Sequence, residues 1–235
     1  MLETLQQTDQ NVFLALNGIA SPFWDQFMWL FTAKLTWVPL YAILMFVMWK
    51  NFKLGAFILS VITIILVITF ADQICGSLIR PLVARMRPSN PNNPISEFVY
   101  LVNEKRGGRY GFPSCHAANS FALAFSVMLF FKRLILSSFF FIWATINSYS
   151  RIYIGVHYPG DLIAGLIVGL IGALLIYLVF RRLIKQRRVR QLLKISNHDQ
   201  EVIDKEIPVR YSNHIIYVGL LTVAVFCIYS LIKVY

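Results

Sequence analysis

The sequence predicts an all-α membrane protein: about six transmembrane helices in one bundle, preceded by amphipathic interfacial helices. Three observations carry that prediction. Of the 235 residues, 57% are hydrophobic and only 14% are charged, and the mean hydropathy is +0.63; soluble domains do not have this balance. Apolar runs of helical length recur along the chain between short polar segments. The ionisable residues gather at the ends of those runs instead of being scattered through them.

Residues 1–34 hold two amphipathic pieces. Leu5, Val12, Phe13 and Leu16, then Phe23, Phe27 and Leu30, recur at helical spacing, with Gly18 and Pro22 between the two sets. They read as helices lying along the membrane surface. The alternative joins 24–33 to the next segment as one early span with Lys34 inside it. The N-terminus does not read as a signal peptide: it starts with acid and amide residues, lacks a basic n-region, and interleaves polar with apolar positions.

The spans follow. Segment 35–49 is apolar but only roughly 22 Å long at ~1.5 Å per residue, shorter than the ~30 Å hydrocarbon core. Segment 54–76 is the clearest span, and 115–131, 134–149, 162–180 and 215–232 complete six. This divides the chain into a transmembrane core (35–180), a basic cytoplasmic loop (181–213) and an additional C-terminal helix (214–235). In the fifth span, Gly165 and Gly169 form a small-xxx-small face that lets a neighbouring helix approach closely; ordinary lipid-facing glycine is the alternative.

The formal net charge is +11, and much of it lies in one run at 181–194. Nucleic acid is not the implied partner, because no recognition module is visible. Beside a span, such a run reads as a cytoplasmic flank facing anionic lipid. Lys50 and Lys53, Lys132 and Arg133, and the 181–194 run all fall on one side when the spans are threaded in order. Loops 77–114 and 150–161 then fall on the other side, in spite of their own arginines. Cysteine excludes little: Cys75, Cys115 and Cys227 are an odd set without metal-ligand spacing, and a Cys75–Cys115 disulfide requires a fold that brings the two together.

Three polar clusters remain, and the threading puts all three on the same membrane face. The first is Arg80, six residues, then Arg87-Pro88. Seven residues are nearly two helical turns, so both guanidinium groups are expected on one side of a helix that Pro88 ends. Arginine forks bind phosphate oxygens bidentately; snorkelling at a headgroup layer is the other reading. The second cluster is Pro113-Ser114-Cys115-His116, ahead of an apolar run. Ser114 is placed to cap a helix whose N-terminus would receive an anion, and His116 in the first turn could act as a general acid. A histidine simply hydrogen-bonded to a loop is the alternative. The third is Ser150-Arg151, five residues, His157, three residues, Asp161. A carboxylate near an imidazole fixes its tautomer and stabilises the imidazolium, the logic of a triad with histidine as nucleophile. Ionisable groups at span ends are functional hypotheses by default, and this set suits phosphate-ester chemistry.

Taken together, the clusters resemble the signature of the type 2 phosphatidic acid phosphatase family, whose soluble relatives include vanadium haloperoxidases. The family's motifs are Lys, six residues, Arg-Pro; Pro-Ser-Gly-His; and Ser-Arg, five residues, His, three residues, Asp. Order and spacing match, over roughly residues 25–180. The resemblance implies that His157 attacks phosphorus to form a phosphohistidine and that Asp161 orients it. It implies that His116 protonates the leaving oxygen and then activates water. Arg80, Arg87, Arg151, Ser114 and the Cys115 amide would hold the phosphate. It implies neither a metal nor another cofactor. Two positions depart from the pattern: Arg80 stands for the usual lysine and Cys115 for the usual glycine, which touches the shape of the pocket more than the reaction.

A site at span ends implies a lipid phosphate in the bilayer as substrate. Loop 89–112 is the expected headgroup lid, with Lys105, Arg106 and Arg109 available to a second phosphate or acidic sugar, or else a solvated turn around Gly107-Gly108. Bacterial envelope members of this family act on lipid A phosphates, undecaprenyl diphosphate or phosphatidylglycerol phosphate. The resemblance together with the basic lid favours lipid A, with undecaprenyl diphosphate close behind, at the inner membrane with the site facing the periplasm or outside. A non-catalytic lipid-binding protein is the alternative from another class, and the complete His157–Asp161–His116 set argues against it.

Overall fold

The computed structural model describes residues 2–204 and 210–234. Met1, 205–209 within the expected basic loop, and Tyr235 of the expected C-terminal helix lie outside the described residues. In chain order the helices are α1 (Leu2–Asn17), α2 (Pro22–Thr32), α3 (Val38–Asn51), α4 (Leu54–Gln73), α5 (Arg80–Val83), α6 (Cys115–Phe131), α7 (Leu134–Tyr153), α8 (Pro159–Lys185), α9 (Arg187–Leu192), α10 (Asn197–Asp204) and α11 (Ser212–Val234). Among the described residues the sole β feature is an isolated antiparallel bridge between Met86 and Tyr110.

The expected six spans are met in part. Among the described residues three helices are long and apolar enough to cross a membrane: Leu54–Val83, Pro159–Lys185 and Ser212–Val234. A fourth arises if Pro22–Thr32 and Leu35–Asn51, bent by 73°, count as one broken span. That pairing follows the alternative in which 24–33 joins the next segment. α6 has 17 residues, and α7 carries Asn147, Ser148, Ser150 and Arg151 in its last turns. α6 has no exposed residue and packs on α4, α7 and α8, and a helix surrounded by protein needs less lipid-like surface; α7 keeps an exposed apolar edge at Leu134, Ile135 and Ile142.

α1 and α2 are helical as expected, and Ser21 caps α2 by accepting from the Trp24 amide at 3.4 Å, with Pro22 at the first position. α2 buries Phe27, Met28 and Phe31 and packs on α7 and α11. The bend after it is pinned by Trp37, which is fully buried and donates its Nε1–H to the Phe31 carbonyl at 2.8 Å. Its ring meets Phe31, Trp143 and Phe226 edge to face, the geometry favoured by aromatic quadrupoles.

The centre of the bundle is the α6–α8 pair, where glycine matters for close approach. A Cβ on Gly165 would stand 2.6 Å from the Ser114 carbonyl oxygen, and one on Gly169 2.6 Å from that of Ala118. The small-xxx-small face therefore contacts α6, not lipid. Segment 181–204 is more than a loop: α9 and α10 fold back, and buried Asp199 accepts from the Lys53 amide at 2.8 Å. The fold also brings Cys75 and Cys115 into side-chain contact, both as free thiols.

Candidate active site

One expectation fails locally. Arg80 and Arg87 do not project from one helix face. A π-helical turn at Ile74–Ile79 precedes Pro81, and Ala84 adopts a left-handed conformation (φ 49°) that ends α5. Proline lacks an amide and crowds the preceding turn, and a widened turn accommodates it. The chain then runs extended through Met86, and Arg87 reaches the site from a loop. The two arginines still converge. Arg80 Nη2 donates to the Pro113 carbonyl at 3.0 Å and contacts Cys115 Sγ at 2.9 Å. Arg87 Nη1 donates to the Val156 carbonyl at 3.0 Å and lies 2.7 Å from His157 Nε2.

The second cluster folds as its pattern predicts. Ser114 is the N-cap of α6, its hydroxyl accepting from the Ala117 amide at 3.3 Å. Its own amide donates to the Asp161 carbonyl at 2.9 Å, which ties the start of α6 to the start of α8. His116 sits in the first turn, with Nε2 2.5 Å from Asn147 Oδ1 on α7. That amide oxygen accepts, so Nε2 carries the proton and Nδ1 the lone pair.

The third cluster spans the end of α7 and the start of α8. The amides of Val156 and His157 donate to the Arg151 carbonyl at 3.0 and 3.3 Å, curling the loop. Gly155 (φ +82°) is required there, because a Cβ would lie 2.8 Å from both the Tyr100 carbonyl and the Val99 side chain. Pro159 opens α8, and Asp161 closes its first turn by accepting from the Tyr158 amide at 3.1 Å. The same oxygen, Oδ2, accepts from His157 Nδ1 at 3.1 Å. Nδ1 is thereby assigned the proton, which leaves the Nε2 lone pair facing Arg87. Burial first, then the charges of Arg87, Arg151 and Arg80, hold the His157 imidazole well below its usual range, so it is neutral at ordinary pH.

The three guanidinium groups of the site are incompletely satisfied. Arg151 donates through Nη1 to Thr32 at 2.8 Å. Yet Arg80, Arg87 and Arg151 each keep a buried Nε–H without an acceptor among the described residues, and none has a carboxylate partner there. Unpaired buried cationic donors are costly, and an oxyanion would satisfy them. Among the described residues no group of three or more His, Cys, Asp and Glu could hold a metal ion.

Loop 89–112 closes directly on this centre. A Cβ on Gly111 would lie 3.1 Å from Asp161 Oδ2 and 3.4 Å from His157 Nδ1. Arg106 donates to the Ser89 carbonyl within the loop at 2.9 Å, and it, Lys105 and Arg109 are all exposed. On its other side, His116 and Asn147 form the polar end of an otherwise largely apolar cavity of about 320 Å³, walled by Trp37, Tyr41, Leu123 and Trp143 and also lined by Lys34. The sequence reading missed Asn147; its position one helical turn before Arg151 on the same face of α7 was the available signal.

All eight residues singled out in the sequence thus lie around one centre. A family model described as the PAP2 superfamily matches residues 56–185. A Bacteroides thetaiotaomicron protein named lipid A 4'-phosphatase is 47% identical over 99% of this chain and all of that relative. A Porphyromonas gingivalis protein of the same name is 38% identical, covering 76% of this chain and 75% of that one. The crystal structure of Aquifex aeolicus LpxE superposes with a TM-score of 0.57 at 24% identity, covering 72% of this chain and 93% of that chain. The chain belongs to the PAP2 superfamily.

Proposed function

We propose that this chain is an integral membrane phosphatase that removes a phosphate from lipid A through a phosphohistidine. The observation that carries the reading is the trio of arginines, each with a buried and unpaired Nε–H, around a neutral imidazole whose Nδ1–H is held by Asp161. On phosphate binding, Arg87 Nη1 exchanges His157 Nε2 for a phosphate oxygen, which exposes the lone pair. Nε2 attacks phosphorus, and the bond from phosphorus to the sugar oxygen breaks. Protonated His116 gives its proton to that oxygen, then takes one from the water whose oxygen displaces His157. Arg80, Arg87, Arg151 and the N-terminus of α6, with Ser114 and the Cys115 amide, stabilise the equatorial charge.

His116 stands at the polar end of the cavity between α3, α4, α6 and α7, so the departing group, still attached to its lipid, belongs there. The full-length relative named for lipid A supports that lipid as substrate. The reading includes six crossings, with α3, α6 and α7 among them, in a bacterial inner membrane. Lys50, Lys53, Lys132, Arg133 and the 181–194 run then face the cytoplasm, and the site faces the periplasm.

The deciding experiment measures phosphate release by purified protein from lipid A, undecaprenyl diphosphate and phosphatidylglycerol phosphate, with His157→Ala alongside. Release from lipid A that the variant abolishes supports the reading. Release that survives the substitution sinks the assigned nucleophile, and preference for another lipid sinks the substrate.

A further inference from the structure

The mechanism leaves Arg85 and Asp9 unused, yet both reach the nucleophile's carboxylate. Asp161 is fully buried. Its Oδ2 is taken by His157 and the Tyr158 amide, and its Oδ1 pairs with Arg85 Nη1 at 3.2 Å. The same Nη1 lies 2.7 Å from Asp9 Oδ2 on α1. Asp9 Oδ1 accepts from the Gly160 amide at 2.8 Å, so one carboxylate grips both the arginine and the first turn of α8. A Cβ on Gly160 would stand 2.8 Å from Asp9 Oδ2, so glycine is what permits the approach. Arg85 is fixed from two further directions. Its guanidinium stacks 3.9 Å from the centre of the Tyr158 ring, and its carbonyl accepts from the Gly111 amide at 2.9 Å.

We propose that Asp9 and Arg85 are positioning residues of the catalytic centre and that α1, which lies outside the family-matched segment 56–185, is part of the catalytic apparatus. A buried carboxylate that must stabilise a forming imidazolium has to stay ionised and keep one oxygen aimed at Nδ1. Arg85 does both by holding the opposite oxygen. Asp9 holds Arg85 in place and offsets its charge, so that Asp161 retains its attraction for the charged imidazole. Residues that orient the ligands of metal sites change activity by about 10–100-fold when replaced, and an effect of the same order is expected for residues that orient a catalytic carboxylate.

This inference rests on the His157–Asp161 assignment, and the experiment separates the two. Full-length protein in mixed detergent micelles is assayed with bis-phosphorylated lipid A as Asp9→Asn, Arg85→Met, Arg85→Lys, the Asp9→Asn/Arg85→Met double variant and His157→Ala. The expected result is a fall in kcat of about 10–100-fold in Asp9→Asn and Arg85→Met, with KM held within about twofold. Arg85→Lys should recover part of the loss, and the double variant should be no slower than Arg85→Met. A wild-type kcat in Asp9→Asn, losses that multiply in the double variant, or a rise in KM at constant kcat overturns the proposal while His157→Ala stays inactive. If Arg85→Met does not fold, Asp9→Asn and Arg85→Lys decide alone. An active His157→Ala overturns the underlying assignment and the proposal with it.

Discussion

Adding one methyl group at Gly165 should slow catalysis more than it weakens the fold. The Cβ of Gly165→Ala would stand 2.6 Å from the Ser114 carbonyl oxygen, whereas ordinary contact begins near 3.4 Å. A backbone carbonyl bonded to the Ala118 amide at 3.0 Å cannot rotate away, so α6 and α8 must part by roughly 0.8 Å at that level. Ser114 caps α6 beside His116, and Gly165 lies one turn below Asp161 on α8. The separation therefore falls between the proton donor on one helix and the nucleophile's carboxylate on the other. A misplacement of ~1 Å costs on the order of 100-fold in rate, and the overpacking itself costs about 1–3 kcal/mol.

Gly169→Ala is the internal comparison. Its Cβ meets the Ala118 carbonyl oxygen at the same 2.6 Å, so its stability loss should be similar. That contact is a turn further from the chemistry, and the helix starts, tied by the bond from the Ser114 amide to the Asp161 carbonyl, can stay together. Both variants are to be compared for melting temperature and for kcat by phosphate release from lipid A. Gly165→Ala should lose about 10–100-fold in kcat and Gly169→Ala much less, at matched melting temperatures. A wild-type kcat in Gly165→Ala, or equal losses in the two, would refute the claim that this contact sets the catalytic distance.

Three further outcomes are expected. Asn147→Leu removes the acceptor that fixes the His116 ring at 2.5 Å, and should lower kcat by about 10–100-fold with little change in KM, as read from steady-state kinetics. Arg80 and Cys115, the two departures from the family motifs, touch each other; Arg80→Lys and Cys115→Gly should each impair turnover, and the double variant should be faster than the product of the single losses predicts. Because burial and three arginines hold His157 well below 6.5, the unfolded chain takes up a proton below that pH and the folded chain does not. Stability from this group is therefore present above pH 6.5 and lost on acidification, so wild type should lose more melting temperature than His157→Gln between pH 6.5 and about pH 5.

The groups that would touch phosphate were legible because reaction chemistry fixes their types and short loops fix their spacing. His157 and Asp161 are four residues apart and meet within one turn. Ser114 and His116 follow the ordinary rules of a helix start. Arg80 and Arg87 were found by charge, but their shared helix face was not, because a π turn and the left-handed Ala84 are decided by packing around Pro81. The span count is met in part for a related reason: α6 has 17 residues and α7 carries polar site residues in its last turns, so neither shows the long apolar run that marks a crossing, as three helices and one bent pair do among the described residues.

What the sequence hid were the groups that hold other groups. Asp9 meets Arg85 and Gly160 across 76 and 151 positions of chain. Asn17 donates to the Tyr100, Ile152 and Tyr153 carbonyls, and Asp25 accepts from the Tyr100 and Tyr153 hydroxyls. No local periodicity links such pairs. Asp9, Asn17 and Asp25 looked like the wet side of amphipathic helices, when their partners were residues around the site. An interfacial helix free to leave the bundle would have no use for a carboxylate that caps α8, an amide that holds three carbonyls and a second carboxylate that holds two tyrosines. That pattern is what a helix needs to stay in one register against a catalytic loop, and it makes the N-terminal segment a fixed wall of the site.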